Sequence, residues 1–187
     1  MFYLLLTGRY PNQTEFNELS QEWKNRGNLD KASHNFILSL PREFHPMTML
    51  SMALLYLQKD SHFFKAYQSG VHKTKYWEYY FEDSMDLLAK LPHICALIYR
   101  HKYKNSEIIP SDPSLDWAGN FSHMLGYSNE QMKECIRGYL SIHSDHEGGN
   151  VSAHTCHLVG SALADPYLSY SAAMDGLAGP LHGLANQ

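Results

Sequence analysis

A chain of 187 residues, 44% of them hydrophobic and 18% charged, is long enough to bury a core and has the composition of one soluble globular domain or a large piece of one. Lys plus Arg number 15 against 19 Asp plus Glu, a formal charge of −4 without any basic block, which argues against nucleic acid or anionic lipid as a partner. The three cysteines, Cys95, Cys135 and Cys156, are scattered with no C-x-x-C pair, so neither a disulfide framework nor a zinc knuckle is expected and a reducing compartment fits best.

The opening MFYLLLTG has no basic leader, so no signal or transit peptide is expected in these residues. The longest apolar runs, Met1–Leu6 and Met47–Leu57, fall short of the roughly 20 residues of a membrane span. Helices are predicted at Gln13–Arg26, Lys31–Leu40, Pro46–Gln58 and Ser61–Gln68, separated by turn signals such as Arg26-Gly27-Asn28 and Pro41. From Thr74 to Lys102, the residues Trp77, Phe81, Met85, Leu88 and Leu91 recur at helical spacing and predict one buried face, with Pro92 kinking or restarting the helix. Asn105–Ser114, carrying Pro110 and Pro113, reads as a loop.

From Ser128, an S-x-x-Q arrangement with Gln131 resembles a capping box, and Met132, Ile136 and Tyr139 form a stripe that leads to His143. Gly148-Gly149 should end that helix, with Asn150 as N-cap of the next. Small residues dominate between Asn150 and Gly183, which permits close helix approach or close approach of a ligand to backbone. Asp165-Pro166 is a helix start and Gly176 a stop, and a further start at Gly179-Pro180 places His182 in the turn that follows. No strand pattern of useful length and no internal repeat is present, so the class is all-α.

Four histidines fall within the stretch HSDHEGGNVSAHTCHLVGS: His143, His146, His154 and His157. The pairs 143/146 and 154/157 each share a face if helical, and two helices meeting at a glycine corner would converge them. Free N–H groups at the second helix start would attract a small carboxylate. Three readings stand: hydrogen-bonded structural histidines, a metal site with Asp145 and Glu147 nearby, or a carboxylate-binding and acid/base site in which histidines donate hydrogen bonds to an organic acid. The spacing matches neither H-E-x-x-H nor the Glu-x-x-His of di-iron bundles, which counts against metal.

The run HSDHEGGNVSAHTCHLVGSALADPYLSYSAAMDGLAGPLHGLANQ, with the upstream HKTKYWEYYFEDSMDLLAKLP and LDWAGNFSHMLGY, resembles citrate synthase of the eukaryotic mitochondrial type over essentially the whole chain. The resemblance implies a two-domain, mostly helical homodimer of the mitochondrial matrix. It would condense acetyl-CoA with oxaloacetate and hydrolyse the citryl thioester to citrate and CoA, with no cofactor and no metal. It implies His182 as the catalytic histidine, donating to the thioester oxygen of acetyl-CoA. His146 and Asn150 would contact oxaloacetate, and His143, His154 and His157 would line or support the pocket. Lys73 and Leu181 are implied as CoA contacts, with Lys73 standing where the family commonly has an arginine. Lysine keeps the charge and loses the bidentate fork. Cys156 and Asp175 replace a common serine and a common asparagine.

The resemblance also implies that residues 1–187 are the central part of a large helical domain. The smaller domain, with its proton-abstracting aspartate, second catalytic histidine and carboxylate-binding arginines, has no matching stretch here. The chain is therefore expected to be a fragment that is inactive and poorly soluble alone. A non-catalytic helical scaffold derived from the family is the alternative, and a metal-binding helical protein is the third reading.

Overall fold

The computed structural model describes residues 1–145 and 148–186. Among these the chain is all-α, with ten α-helices, three short 3₁₀ turns and no strand. The first five helices are α1 (Phe2–Thr7), α2 (Gln13–Arg26), α3 (Lys31–Ser39), α4 (Pro46–Leu57) and α5 (His62–Gln68). They are followed by α6 (Tyr76–Tyr103), α7 (Trp117–Leu125), α8 (Glu130–Ile142), α9 (Val151–Ser161) and α10 (Pro166–Leu177).

Local chemistry sets most of these boundaries. Asn12 and Glu15 close a reciprocal capping box on α2, with Glu15 N 3.0 Å from Asn12 Oδ1 and Asn12 N 2.9 Å from Glu15 Oε2. Asp30 caps α3, and α4 starts with Pro46 in its first turn behind His45, whose Nδ1 accepts from Met47 N at 3.2 Å. The α5 start is capped twice. Ser61 Oγ accepts from Phe64 N, and the buried Asp83 of α6 accepts from Ser61 Oγ, His62 N and Phe63 N. Burial raises the Asp83 carboxyl above the usual carboxylate range, while those three hydrogen bonds pull it the other way.

The core lies where α3, α4, α6 and α10 meet, and it is built from Ile37, Met49, Leu54, Ile94, Leu97 and Tyr167 among others. Ser171 of α10 donates to the Ser51 carbonyl oxygen at 3.1 Å, which leaves Ser51 Oγ to donate to Ser171 Oγ at 2.8 Å. Gln58 Nε2 donates to Asp165 Oδ2 at 2.9 Å, and Tyr80 OH to the Ala164 carbonyl at 2.5 Å, so the start of α10 is held from both α4 and α6. On its other side α10 carries α9, a helix with no buried residue of its own.

Three expectations about α6 to α8 need correction. The helix runs through Pro92 as one element of 28 residues, so of the two expected effects, a kink or a restart, the restart does not occur. Proline removes the N–H that would have bonded the carbonyl four residues back. That carbonyl belongs to Leu88, and the indole N–H of Trp117 on α7 donates to it at 2.9 Å. The expected buried stripe also fails at its start, because Trp77 is 68% and Phe81 40% exposed. Tyr76 and Tyr80 turn inward instead, their rings 5.3 Å and 4.2 Å from that of the buried Phe63. The cap of α8 is Asn129 rather than Ser128, its side chain accepting from Met132 N at 2.8 Å.

Candidate functional site at the α9 start and the His182 turn

Asn150 is the N-cap of α9, in extended backbone, with Oδ1 accepting from Ala153 N at 2.9 Å. Within the first turn of the helix, Ser152 Oγ donates to the same Oδ1 at 2.7 Å. Ser152 Oγ also lies 3.0 Å from Nε2 of His182, which follows α10. A single hydroxyl thus joins the cap of one helix to the imidazole beyond the end of the next.

Two glycines make this approach possible. A Cβ on Gly176 would stand 3.0 Å from Val151 Cγ1 and 3.8 Å from Ser152 Cα, so its absence lets α10 lie close against the first turn of α9. A Cβ on Gly183 would stand 2.5 Å from the Leu177 carbonyl oxygen, closer than side chains come to backbone. The chain therefore folds back tightly after α10, through His182 N to Gly179 O at 3.0 Å and Ala185 N to His182 O at 3.2 Å. The His182 ring is half-buried, which lets a ligand reach it while its backbone stays fixed.

The remaining expected residues fall elsewhere. His143 is the C-cap of α8, which ends at Ile142 rather than at Gly148-Gly149, so His143 does not project from a helix toward the glycine corner. Its ring stacks on Tyr139 with centroids 4.1 Å apart, and its Nδ1 lies 2.8 Å from the Tyr139 carbonyl. It borders a separate apolar cavity of about 650 Å³ walled by Phe2, Trp23, Leu88, Pro92 and Trp117. His154 is exposed on α9. His157 reaches back toward the glycine corner, where a Cβ on Gly148 would be 3.5 Å from its Cε1. His146 lies outside the described residues. Lys73 opens a short 3₁₀ turn, Lys73–Lys75, with its side chain exposed, and Leu181 is fully exposed next to His182.

Ser152 was not singled out from the sequence, although its position two residues after an N-cap and in a run of small residues is the signal that could have found it. Among the described residues, no group of three His, Cys, Asp or Glu side chains is arranged to hold a metal ion. No described helix is long and apolar enough to cross a membrane.

A family model described as citrate synthase, C-terminal domain, matches residues 1–187. The chain belongs to the citrate synthase family. It is 64% identical over 188 residues to a protein named mitochondrial citrate synthase from Tetrahymena thermophila, covering 100% of this chain and 41% of that protein. It is 57% identical, over 100% of this chain and 40% of the relative, to the mitochondrial citrate synthase of Xiphias gladius. Among solved structures, the citrate synthase of Pyrobaculum aerophilum superposes with a TM-score of 0.88 at 32% identity, over 98% of this chain and 46% of that one. The chain thus spans about two fifths of the length of the curated relatives it matches. Its all-α architecture is that of the citrate synthase fold.

Proposed function

We propose that the protein to which these residues belong is a citrate synthase of the mitochondrial matrix. It would condense acetyl-CoA with oxaloacetate and water to give citrate and CoA, acting as a homodimer without a cofactor. Residues 1–187 form the central part of its large helical domain. The observation that carries this reading is the family match along the whole of residues 1–187, with relatives named mitochondrial citrate synthase at 64% and 57% identity.

In this reading His182 is the donor that meets the thioester oxygen of acetyl-CoA. Loss of a methyl proton puts negative charge on that oxygen, and a fixed donor aimed at it lowers the barrier because the donor need not reorganise as the charge develops. The enol carbon then attacks the ketone carbon of oxaloacetate, whose polar groups are held by Asn150 and His146, and water cleaves the resulting thioester to release CoA. His143, His154 and His157 support or line the surroundings, and Lys73 and Leu181 meet CoA. Ser152, at 3.0 Å from His182 Nε2, fixes the ring so that Nδ1 is the nitrogen presented to substrate.

Citrate formation, or release of the CoA thiol, measured on the full-length protein tests the assignment. His182→Ala is expected to lower kcat by roughly 10²- to 10³-fold, the usual cost of removing one donor at a developing oxyanion. Full activity in that variant would overturn the role given to His182. The base that takes the methyl proton must stand beside the donor, so the 187 residues alone are expected to give no turnover.

A further inference from the structure

The three atoms around Ser152 fix proton positions that heavy-atom coordinates seldom reveal. Asn150 Oδ1 is identified as the oxygen of its amide by the Ala153 N–H that points to it at 2.9 Å. An amide oxygen only accepts, so the 2.7 Å contact with Ser152 Oγ uses the single proton of that hydroxyl. Ser152 Oγ then has only lone pairs left for His182. The 3.0 Å contact to Nε2 is therefore a bond donated by the ring, and His182 rests as the Nε2–H tautomer. In the neutral ring Nδ1 carries a lone pair, and it has no hydrogen-bond partner among the described residues. A ring in this state cannot donate to a carbonyl through Nδ1.

We propose that the Ser152 hydroxyl is a rotary switch that holds His182 in the Nε2–H form until a carbonyl acceptor engages Nδ1. The inference rests on the functional reading above in one respect, that the acceptor is the acetyl-CoA thioester oxygen. In the switched state the Ser152 O–H turns about its C–O bond from Asn150 Oδ1 to Nε2. The ring releases its Nε2 proton to water and takes one from water at Nδ1, so no proton is gained or lost overall. Asn150 Oδ1 keeps its bond from Ala153 N. In the resting state Ser152 donates to Asn150 Oδ1 and accepts from Nε2–H, whereas in the switched state it only donates, to Nε2, and faces Asn150 Oδ1 at 2.7 Å without a proton between them, so the resting state is favoured until an acceptor at Nδ1 offsets that cost. A ligand that binds only the switched state shifts the population toward it by its differential affinity for that state, which has to exceed this cost. The half-buried ring is open to the water this exchange requires. Asn150 thereby acts as a positioning residue for His182 through Ser152, in addition to any contact it makes with substrate.

Nitrogen NMR of the full-length protein, labelled in its histidine rings, reads the tautomer directly, with the His182 signals assigned by their absence in His182→Asn. The expected result is Nε2–H in the unliganded protein at neutral pH and Nδ1–H after saturation with acetyl-CoA in the absence of oxaloacetate. Nδ1–H or a doubly protonated ring in the unliganded protein would overturn the proposal, as would an unchanged tautomer with acetyl-CoA bound. Ser152→Ala supplies a second readout: it should mix the two tautomers and lower kcat at least tenfold with the oxaloacetate KM within about twofold, and Ser152→Thr should restore the single form. A pure Nε2–H ring in Ser152→Ala would overturn it too. The unliganded tautomer does not depend on the reaction, so unchanged citrate production by His182→Ala would remove the functional reading while leaving that measurement standing.

Discussion

Gly183 shows how one missing side chain sets the position of another residue. His182 is held by its backbone, in a turn that brings the next residue so close to Leu177 that a Cβ would sit 2.5 Å from a carbonyl oxygen and 2.9 Å from Leu177 Cδ1. The obstacle is backbone at the end of α10, so it cannot rotate aside as a flexible side chain would. In Gly183→Ala the turn has to move outward, and His182 Nε2 moves with it away from Ser152. Overpacking of this kind costs about 1–3 kcal/mol, and a reacting group displaced by about 1 Å can lose roughly a hundredfold in rate. The variant is therefore expected to fold, to melt a few degrees lower, and to lose far more kcat than substrate affinity. Thermal melting and steady-state kinetics on the full-length protein check this. Wild-type kcat would mean that the turn has slack that these distances do not show.

At the scale of elements, the pairing of α6 with α7 shows what the sequence does and does not disclose. The start of α10 was legible because Asp165 and Pro166 are local signals that act on their own neighbours. Asn150 was legible as a cap for the same reason. The continuity of α6 was not, because what rescues Pro92 lies on another helix. The vacated Leu88 carbonyl is filled by an indole 29 residues away in sequence, and α7 itself went unread although Asp116 caps it and Gly126 ends it in the left-handed region at φ 103°. The buried stripe of α6 misled for a related reason. Its carboxyl-terminal half is buried on several faces, so no single stripe marks the core side there, and its first turns bury Tyr76 and Tyr80 against Phe63 while Trp77 faces out. Trp117→Phe tests the rescue. It keeps most of the apolar contact and deletes the donor, leaving the Leu88 carbonyl without its partner, a loss of about 1–3 kcal/mol. Denaturant unfolding should show the midpoint falling with an unchanged slope, and a variant as stable as wild type would mean that water replaces the indole at no cost.

Across residues 1–187, buried contacts and the candidate site are distributed unequally. The buried residues that form the core come from α3, α4, α6 and α10, whereas α8 and α9 contribute none. Half of the Asn150–Ser152–His182 corner therefore stands on the outer helix α9, and half on the turn that ends the anchored helix α10. The outer half keeps its register by lying on α10 over Gly176, and by the cap that Asn150 places on its first turn. Such a helix opens at a lower free energy than the core it rests on, because opening it exposes little buried apolar surface. Amide hydrogen exchange of the full-length protein, read over these residues, should accordingly show the slowest exchange in α4, the second half of α6 and α10, and faster exchange in α8 and α9. Within α9, Ala153 should be the best protected residue of the first turn, since its N–H is the one Asn150 holds. Asn150→Ala should erase that difference and leave α4 and α10 unchanged. Equal protection of α9 and α10 in the unmodified chain would show that the two helices open as one unit, and that the corner is held by the core on both sides.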